Sequence, residues 1–193
     1  MASGRVCTGF SYPFVALYGV ASGALALTSG MELARGVSVQ ITPNEGSDNN
    51  FFANNQVAES DSTFGGGDLT LTVDGLKDDA NKLIYGLPTA DTDGWTEYND
   101  DQVIPYVAVG YIARFQSDGV VEYEPTVLLR CKFNQAGTSA QTQGESIDYQ
   151  TQELSAKIYR AEIAKNPWKS KGKGYATESE ALAALKAKLN IAK

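Results

Sequence analysis

The 193-residue sequence contains no histidine. Because Ser–His–Asp triads and Cys–His pairs both use imidazole as the base, neither arrangement is available to this chain. Histidine ligands for zinc are excluded for the same reason, and the glycine fingerprints of nucleotide sites are absent. The 23 acidic residues guarantee carboxylate pairs, but no pair stands out as the two catalytic carboxyls of a hydrolase. We therefore expect a protein that is not an enzyme and binds no cofactor or metal.

Cysteine is scarce as well. Cys7 and Cys131 are the only two, and their spacing fits neither a metal site nor a disulfide framework. Both are predicted to be free thiols, and Cys131 falls in an apolar strand where it acts as a small hydrophobic residue.

Long apolar runs are also missing. No segment approaches the roughly 20 apolar residues of a membrane span, and the first residues lack a signal-peptide pattern. The sequence therefore predicts no membrane partner and synthesis in a reducing, intracellular compartment.

Positive charge is rare in the first half of the chain. Residues 1–100 hold 4 Lys/Arg and 13 Asp/Glu, a net of −9, whereas residues 101–193 hold 12 and 10, a net of +2, which agrees with the total of −7. Because basic residues must neutralise phosphates when a protein binds nucleic acid, sequence-specific DNA binding is disfavoured. The asymmetry either reflects where solvated faces fall or marks complementary ends of a self-associating protein.

The strongest pattern that is present covers Gln102–Phe133. Two long runs rich in β-branched and aromatic residues flank Ser117-Asp118-Gly119, which has hairpin turn chemistry. Val107, Val109 and Tyr111 alternate with residues of the opposite face, as strands require. This segment predicts a central β-hairpin.

Further strands are predicted on both sides of this hairpin. Pro13 places Phe10–Tyr18 at a sheet edge or in an irregular arm, and Gly19–Gly30 has the small residues of a flexible turn. The remaining predicted strands are Met31–Ile41, Asp68–Val73 and Ile147–Glu162.

Two segments change to a helical period. Leu76–Leu87 carries one apolar stripe, with Asp74 as the predicted N-cap and Gly86 and Pro88 at its end. Thr177–Ile191 starts with a capping box formed by Thr177 and Glu180.

Between these elements lies a polar stretch, Thr42–Gly67, with no sustained strand or helix period. Loops of this length are uncommon in compact domains. Its phenylalanines either fold back onto the chain's own sheet or are buried by another molecule.

Two weaker motifs favour ordinary loops. Asp91–Gly94 resembles a calcium loop but has glycine at the fourth position and lacks the final glutamate. Lys165–Gly174 is basic and glycine-containing, yet it lacks the phosphate-loop consensus and is predicted to be solvated.

The ordered set of segments resembles the major tail proteins of long, non-contractile-tailed bacteriophages. The resemblance runs from about Arg35 to Arg160, the closing TESEALAALKAKL helix is similar too, and residues 19–30 do not match the family. The segments that carry it are GMELARGVSVQITPNEGSDNNFFANNQVAES, GGGDLTLTVDGL, QVIPYVAVGYIARFQSDGV, PTVLLRCKFNQ and IDYQTQELSAKIYR.

The resemblance implies one tail-tube domain over residues 1–193, a β-sandwich or barrel-like fold with a flanking helix and a C-terminal helix. Within it, residues 1–34 form an N-terminal arm or edge strand, 42–67 a long assembly loop and 177–191 the C-terminal helix. Six copies would form a ring, and stacked rings would form a tube through which DNA passes without specific binding. The implied partners are further copies of the chain and the tape measure, tail terminator and distal tail proteins. The implied location is the virion tail, after assembly in the host cytoplasm.

Subunit contacts are predicted where the unexplained apolar and charged residues fall. Acidic residues of one ring would face lysines of the next, and the apolar residues would be buried between copies. The predicted contacts are Asp48, Phe51, Phe52, Asn54, Asn55, Val57, Glu59, Asp61, Phe64, Lys169, Lys171 and Lys173. The rival hypothesis is a soluble, monomeric β-sandwich binding module that recognises a ligand through its long loops.

Overall fold

The computed structural model describes residues 4–46, 49–53, 56–61, 64–135, 137, 142 and 150–191, with only the backbone described for 49–53 and 56–61. This part of the protein is mainly β, as predicted. Its strands are β1 (Val6–Leu17), β2 (Val20–Ala21), β3 (Ala24–Leu25), β4 (Thr28–Glu32), β5 (Gly36–Glu45), β6 (Asn49–Ala53), β7 (Gln56–Asp61), β8 (Phe64–Val73), β9 (Val107–Ser117), β10 (Val120–Phe133), β11 (Gln152–Tyr159) and β12 (Lys169–Lys171). The helices are α1 (Asp78–Tyr85) and α2 (Glu178–Lys188).

One large antiparallel sheet organises the fold. Its strand order is β4–β1–β9–β10–β11–β8–β5, and β12 pairs with β10 beside β11. The predicted central hairpin is confirmed as β9 and β10, joined by a turn in which Asp118 has φ 47° and Gly119 φ 81°. Two consecutive positive φ values match the right-handed twist of the strands, which explains the Asp-Gly sequence.

The centre of the sheet is buried on both faces, so alternate residues of β9 enter two different cores. Val107 and Val109 belong to a first core, whereas Ala108 and Ile112 belong to a second. Cys131 is buried in the first core and is a free thiol, as expected. Burial raises the pKa of this thiol, so it remains protonated and serves as packing.

The sheet curls around the first core, which makes the fold barrel-like. At one end of the strand order β5 comes back towards β1. There Gly36 lies so close to the Phe10 ring that a Cβ would stand 2.1 Å from Phe10 Cε1, and only glycine fits. Ala80, Ile84 and Tyr85 of α1 pack into the same core, so α1 is the predicted flanking helix.

The ends of α1 confirm one prediction and correct another. Gly86 closes the helix with φ 63°, the left-handed conformation of a C-cap glycine. Asp74 is not the N-cap, because the helix begins after Lys77, which makes no capping bond with its side chain. The Asp74 carboxylate instead accepts hydrogen bonds from the Arg35 backbone N–H at 3.0 Å and from Arg35 Nε at 2.5 Å.

The C-terminal helix α2 covers the second core. Its predicted N-cap is confirmed, since the Thr177 hydroxyl accepts a hydrogen bond from the Glu180 backbone N–H at 3.4 Å. Leu185 and Leu189 are fully buried against β9. They lie over Gly110, where a Cβ would approach each leucine Cδ1 to 2.8 Å. A small residue in the centre of β9 therefore lets α2 pack close to the sheet.

The N-terminal third differs most from the sequence predictions. β1 is an interior strand between β4 and β9, and Pro13 fits because the β1–β9 register is interrupted between Ser11 and Phe14. For Phe14–Leu17, which pair with β4 on one side and β9 on the other, the prediction of an edge strand or arm is therefore wrong. Residues 19–30 contain the β2–β3 hairpin and the start of β4 rather than one flexible turn. The predicted strand Met31–Ile41 is split, because β4 pairs with β1 whereas β5 pairs with β8.

Candidate subunit interface

Residues 42–67, which we call the arm, contain strands rather than the predicted loop. The β5–β8 ladder continues from the sheet to the Glu45–Phe64 pair. Beyond it β6 and β7 form a separate two-stranded ladder, with Asn49 opposite Asp61. Asparagine, aspartate and glycine have low strand propensity, which hid this hairpin in the sequence.

The base of the arm is fixed to the body of the fold. The Phe64 ring stacks on Trp168 with centroids 4.5 Å apart and planes 5° from parallel. Arg160 donates a hydrogen bond to the Phe64 carbonyl oxygen. Asp68 accepts hydrogen bonds from Lys157 Nζ at 2.5 Å and from Asn44 Nδ2 at 3.1 Å. The hydrogen bond from Lys157 lowers the pKa of Asp68, and the same bond raises the pKa of Lys157. These contacts hold both strands where they leave the sheet.

The predicted contact residues of the arm separate into three groups. Phe64 is half-buried on its own sheet, which favours the intramolecular of the two readings for this residue. The backbones of Phe51, Phe52, Val57, Glu59 and Asp61 lie in β6 or β7, and their side chains are outside the described part. Asp48, Asn54 and Asn55 lie outside the described residues, so their contacts stay predictions.

The predicted lysine face is partly occupied by intramolecular contacts. Lys171 Nζ lies 2.7 Å from Oε1 of Glu124, a residue only 3% exposed. Lys169 is half-buried, and this burial, together with the charge of Lys171, lowers its pKa. Lys173 is exposed, with its Nζ 5.2 Å from the centre of the Tyr175 ring. The segment is not a solvated loop throughout, because β12 pairs with β10.

Glu124 is a buried charge that sequence analysis missed. Its Oε2 accepts hydrogen bonds from both terminal nitrogens of Arg5, each at 3.2 Å. Because Lys171 lies beside Oε1, two cations from distant parts of the chain hold one carboxylate. The signal was the alternation in β10, which puts Glu124 on the same face as Thr126 and Leu128. This ion cluster ties the start of β1 and β12 to β10.

A second cluster combines aromatic rings with Arg130. The guanidinium lies 4.0 Å from the centre of the Tyr106 ring and 5.4 Å from that of Tyr18, and NH1 donates to Glu162 at 2.6 Å. Tyr106 also meets Tyr159 edge to face at 5.6 Å. These contacts join β10 and β11 to the residues just before β9 and just after β1, and they are typical of structural cation–π packing.

Within the described ranges there is no group of three or more acidic or cysteine side chains placed to hold a metal ion. The Asp91 carboxylate of the calcium-like motif accepts from the backbone N–H groups of Asp93 and Trp95, at 3.0 and 2.8 Å. Among the helices described, none has the length and apolar character to cross a membrane.

Comparison with known proteins adds no family assignment. No protein-family model matches the chain, and no curated protein is similar to it.

Proposed function

We propose that this chain is a structural protein that polymerises into stacked hexameric rings, forming the tail tube of a long, non-contractile-tailed bacteriophage. DNA passes through the lumen of this tube to the host. The proposal combines the resemblance of the sequence with the geometry of the arm.

The observation that carries the proposal is the pairing of β6 and β7. Among the described strands these two pair only with one another, and an isolated two-stranded hairpin is marginally stable at best in water. The ladder nevertheless includes Phe51, Phe52 and Val57. A second copy that covers this hairpin would bury these apolar side chains between subunits.

The edges of the large sheet support the same conclusion. β4 and β5 are the two ends of the strand order, and each leaves one row of backbone groups without a ladder in the described chain. Unprotected edges invite pairing with further chains. The net charge of −7 fits a lumen along which DNA slides, because an acidic wall repels phosphates.

Light scattering and negative-stain microscopy over a range of protein concentrations test the proposal. We expect rings or tubes at high concentration. A monomer that stays monodisperse at all concentrations would refute the tail-tube function and favour the binding module.

Two variants show whether the arm drives assembly. Phe52→Asp adds a charge to β6 and removes an aromatic ring, so assembly should be lost. Asn50→Asp adds the same charge to the same strand without loss of apolar surface, and it should assemble almost normally. Equal assembly of the two variants would contradict burial of the arm.

A further inference from the structure

The loop between α1 and β9, residues 86–106, presents a tryptophan to solvent. Trp95 is 74% exposed, and Tyr98 and Val103 of the same loop are 59% and 77% exposed. Large apolar side chains grouped on a surface mark interaction sites, and tryptophan is enriched among residues that dominate binding energy.

The backbone of Trp95 is held in place by hydrogen bonds within the loop. The Asp91 carboxylate accepts from the Trp95 backbone N–H at 2.8 Å, and the Asp91 N–H donates to the Trp95 carbonyl at 2.9 Å. Gln102 anchors the end of the loop, since its Nε2 donates to the Tyr85 carbonyl at 2.7 Å. A preorganised loop backbone reduces the conformational entropy that is lost on binding.

The same loop is strongly acidic. Between Lys82 and Arg114 the sequence has no basic residue. The carboxylates of the loop make no ion pair within the described part of the chain. They belong to Asp91, Asp93, Glu97, Asp100 and Asp101. A surface that binds this loop should therefore have an apolar centre for Trp95 and a basic rim that complements the carboxylates.

The described surface contains such a receptor beside α2. A cavity of about 180 Å³ lies between β12, the adjoining part of β10 and α2, and is lined by Pro125, Val127, Tyr175, Ala184, Leu185 and Lys188. It is smaller than the roughly 300–1,000 Å³ of pockets for drug-sized ligands, so it suits one side chain.

The rim of this groove is basic. Lys188 lines it, and Lys173 lies over the ring of Tyr175, which also lines it. Neither lysine has an ion-pair partner among the described residues. Glu178 and Glu180 lie in the first turn of α2, at the other end of the helix.

We propose that Trp95 of one copy inserts into the α2–β12 groove of another copy. This proposal rests on the self-assembly proposed above and names the contact that propagates it. The loop follows α1, which packs on the first core, whereas the groove adjoins α2, which packs on the second. The contact joins two different surfaces, so each added copy leaves a free loop or groove for the next.

Site-directed cross-linking tests the contact in the full chain. Thr96→Cys and Ala184→Cys are combined with Cys7→Ser, which removes the exposed native thiol, while Cys131 is buried. Under mild oxidation with diamide we expect a ladder of disulfide-linked multimers. The matched control replaces Ala184→Cys with Ala183→Cys, because Ala183 is exposed on the next position of α2 and does not line the groove. A ladder of equal yield in the control would overturn the proposal.

Trp95→Ala supplies an independent readout. We expect the concentration required for assembly to rise about 30-fold or more, the effect of losing a dominant interface aromatic. Val120→Ala removes another exposed apolar side chain, at the tip of the β9–β10 hairpin, and should leave that concentration unchanged. Urea unfolding of the dilute variants should match the parent, which excludes a folding defect.

The outcomes separate the two proposals. Rings or tubes that form normally with Trp95→Ala, and that give no ladder at residue 184, would overturn the Trp95 contact and leave tube formation standing. A parent chain that forms no assembly would overturn both.

Discussion

The buried carboxylate of Glu124 gives the sharpest test of how the fold is held together. Arg5 and Lys171 reach it from opposite ends of the sequence, at 3.2 and 2.7 Å. We consider Arg5→Met, Lys171→Met, the double variant, and the double variant with Glu124→Gln added. Methionine keeps much of the apolar stem of each cation and removes the charge.

The structure sets the expected magnitudes. A hydrogen bond to a charged group, such as Arg5 makes with Glu124, contributes about 1.5–3 kcal/mol. Lys171 contributes an ion pair, and because the side chains of Arg5 and Lys171 are 41% and 52% exposed, water screens both contacts. Each single variant should therefore lower the free energy of unfolding by about 1–2 kcal/mol. The double variant leaves a buried carboxylate with no cation, which costs about 3–5 kcal/mol. Adding Glu124→Gln removes the charge and should restore most of that loss.

Urea unfolding at low protein concentration is the assay, since assembly would otherwise add its own stabilisation. Tryptophan fluorescence follows the transition, because Trp168 precedes β12 directly and packs on the first core. Glu122→Gln is the control: its carboxylate also lies 3.2 Å from Arg5, yet its side chain is 46% exposed, so the effect should stay below about 1 kcal/mol. Strictly additive single variants, or no recovery with Glu124→Gln, would refute the account of a buried charge held by two cations.

Three further predictions concern the body of the fold. Leu185→Ala empties a fully buried position between α2 and β9, so it should cost about 2–5 kcal/mol in urea unfolding, and a smaller loss would mean that α2 packs loosely. Asp68 and Asp74 have lowered pKa values, first through their side-chain hydrogen bonds with Lys157 and Arg35. Their stabilisation is present above the usual carboxyl range near pH 4 and is lost as the pH falls through the lowered values. Acid titration should therefore show a smaller loss below pH 4 for Asp74→Asn than for the parent. Burial raises the pKa of Tyr111, so its stabilisation is present below about pH 10 and lost at higher pH, and Tyr111→Phe should flatten the alkaline limb of thermal unfolding.

The local sequence pattern was sufficient to predict an element where its residues all favour the same secondary structure. The β9–β10 hairpin was predicted because alternation, strand propensity and the Asp118-Gly119 turn all agree. The Thr177 N-cap of α2 and the αL glycine at Gly86 are equally local. These elements also form the centre of the sheet and both helices, so the mainly β class with two helices followed from the sequence.

The remainder depends on partners distant in sequence. Asp74 has a side chain suited to an N-cap, but its carboxylate accepts a hydrogen bond from Arg35 instead. No local sequence pattern around Asp74 predicts that pairing. The arm has low strand propensity and becomes extended because β8 pairs with β5. Pro13 suggested an edge strand, whereas the residues that follow it, Phe14–Leu17, pair with strands on both sides. In each case a tertiary contact overrides a local preference.

The lysines in and just after β12 contribute less to stacking than their charges suggest. From the charges in the sequence alone, Lys169, Lys171 and Lys173 were predicted to face acidic residues from the first half of another copy. In the fold, the charge of Lys171 is compensated by Glu124, and Lys169 is half-buried. Of the three lysines, Lys173 is therefore the one that can pair with an acidic residue of another copy. The basic surface that can meet another copy therefore shifts towards Lys188, which lies in the last turn of α2 and lines the groove beside β12. Exposed pairs contribute only about 0.2–1 kcal/mol each and are screened by salt, so this surface would set the orientation and rate of encounter. An apolar contact must then supply most of the affinity between copies, and the proposed contact of Trp95 in the acidic loop would do so.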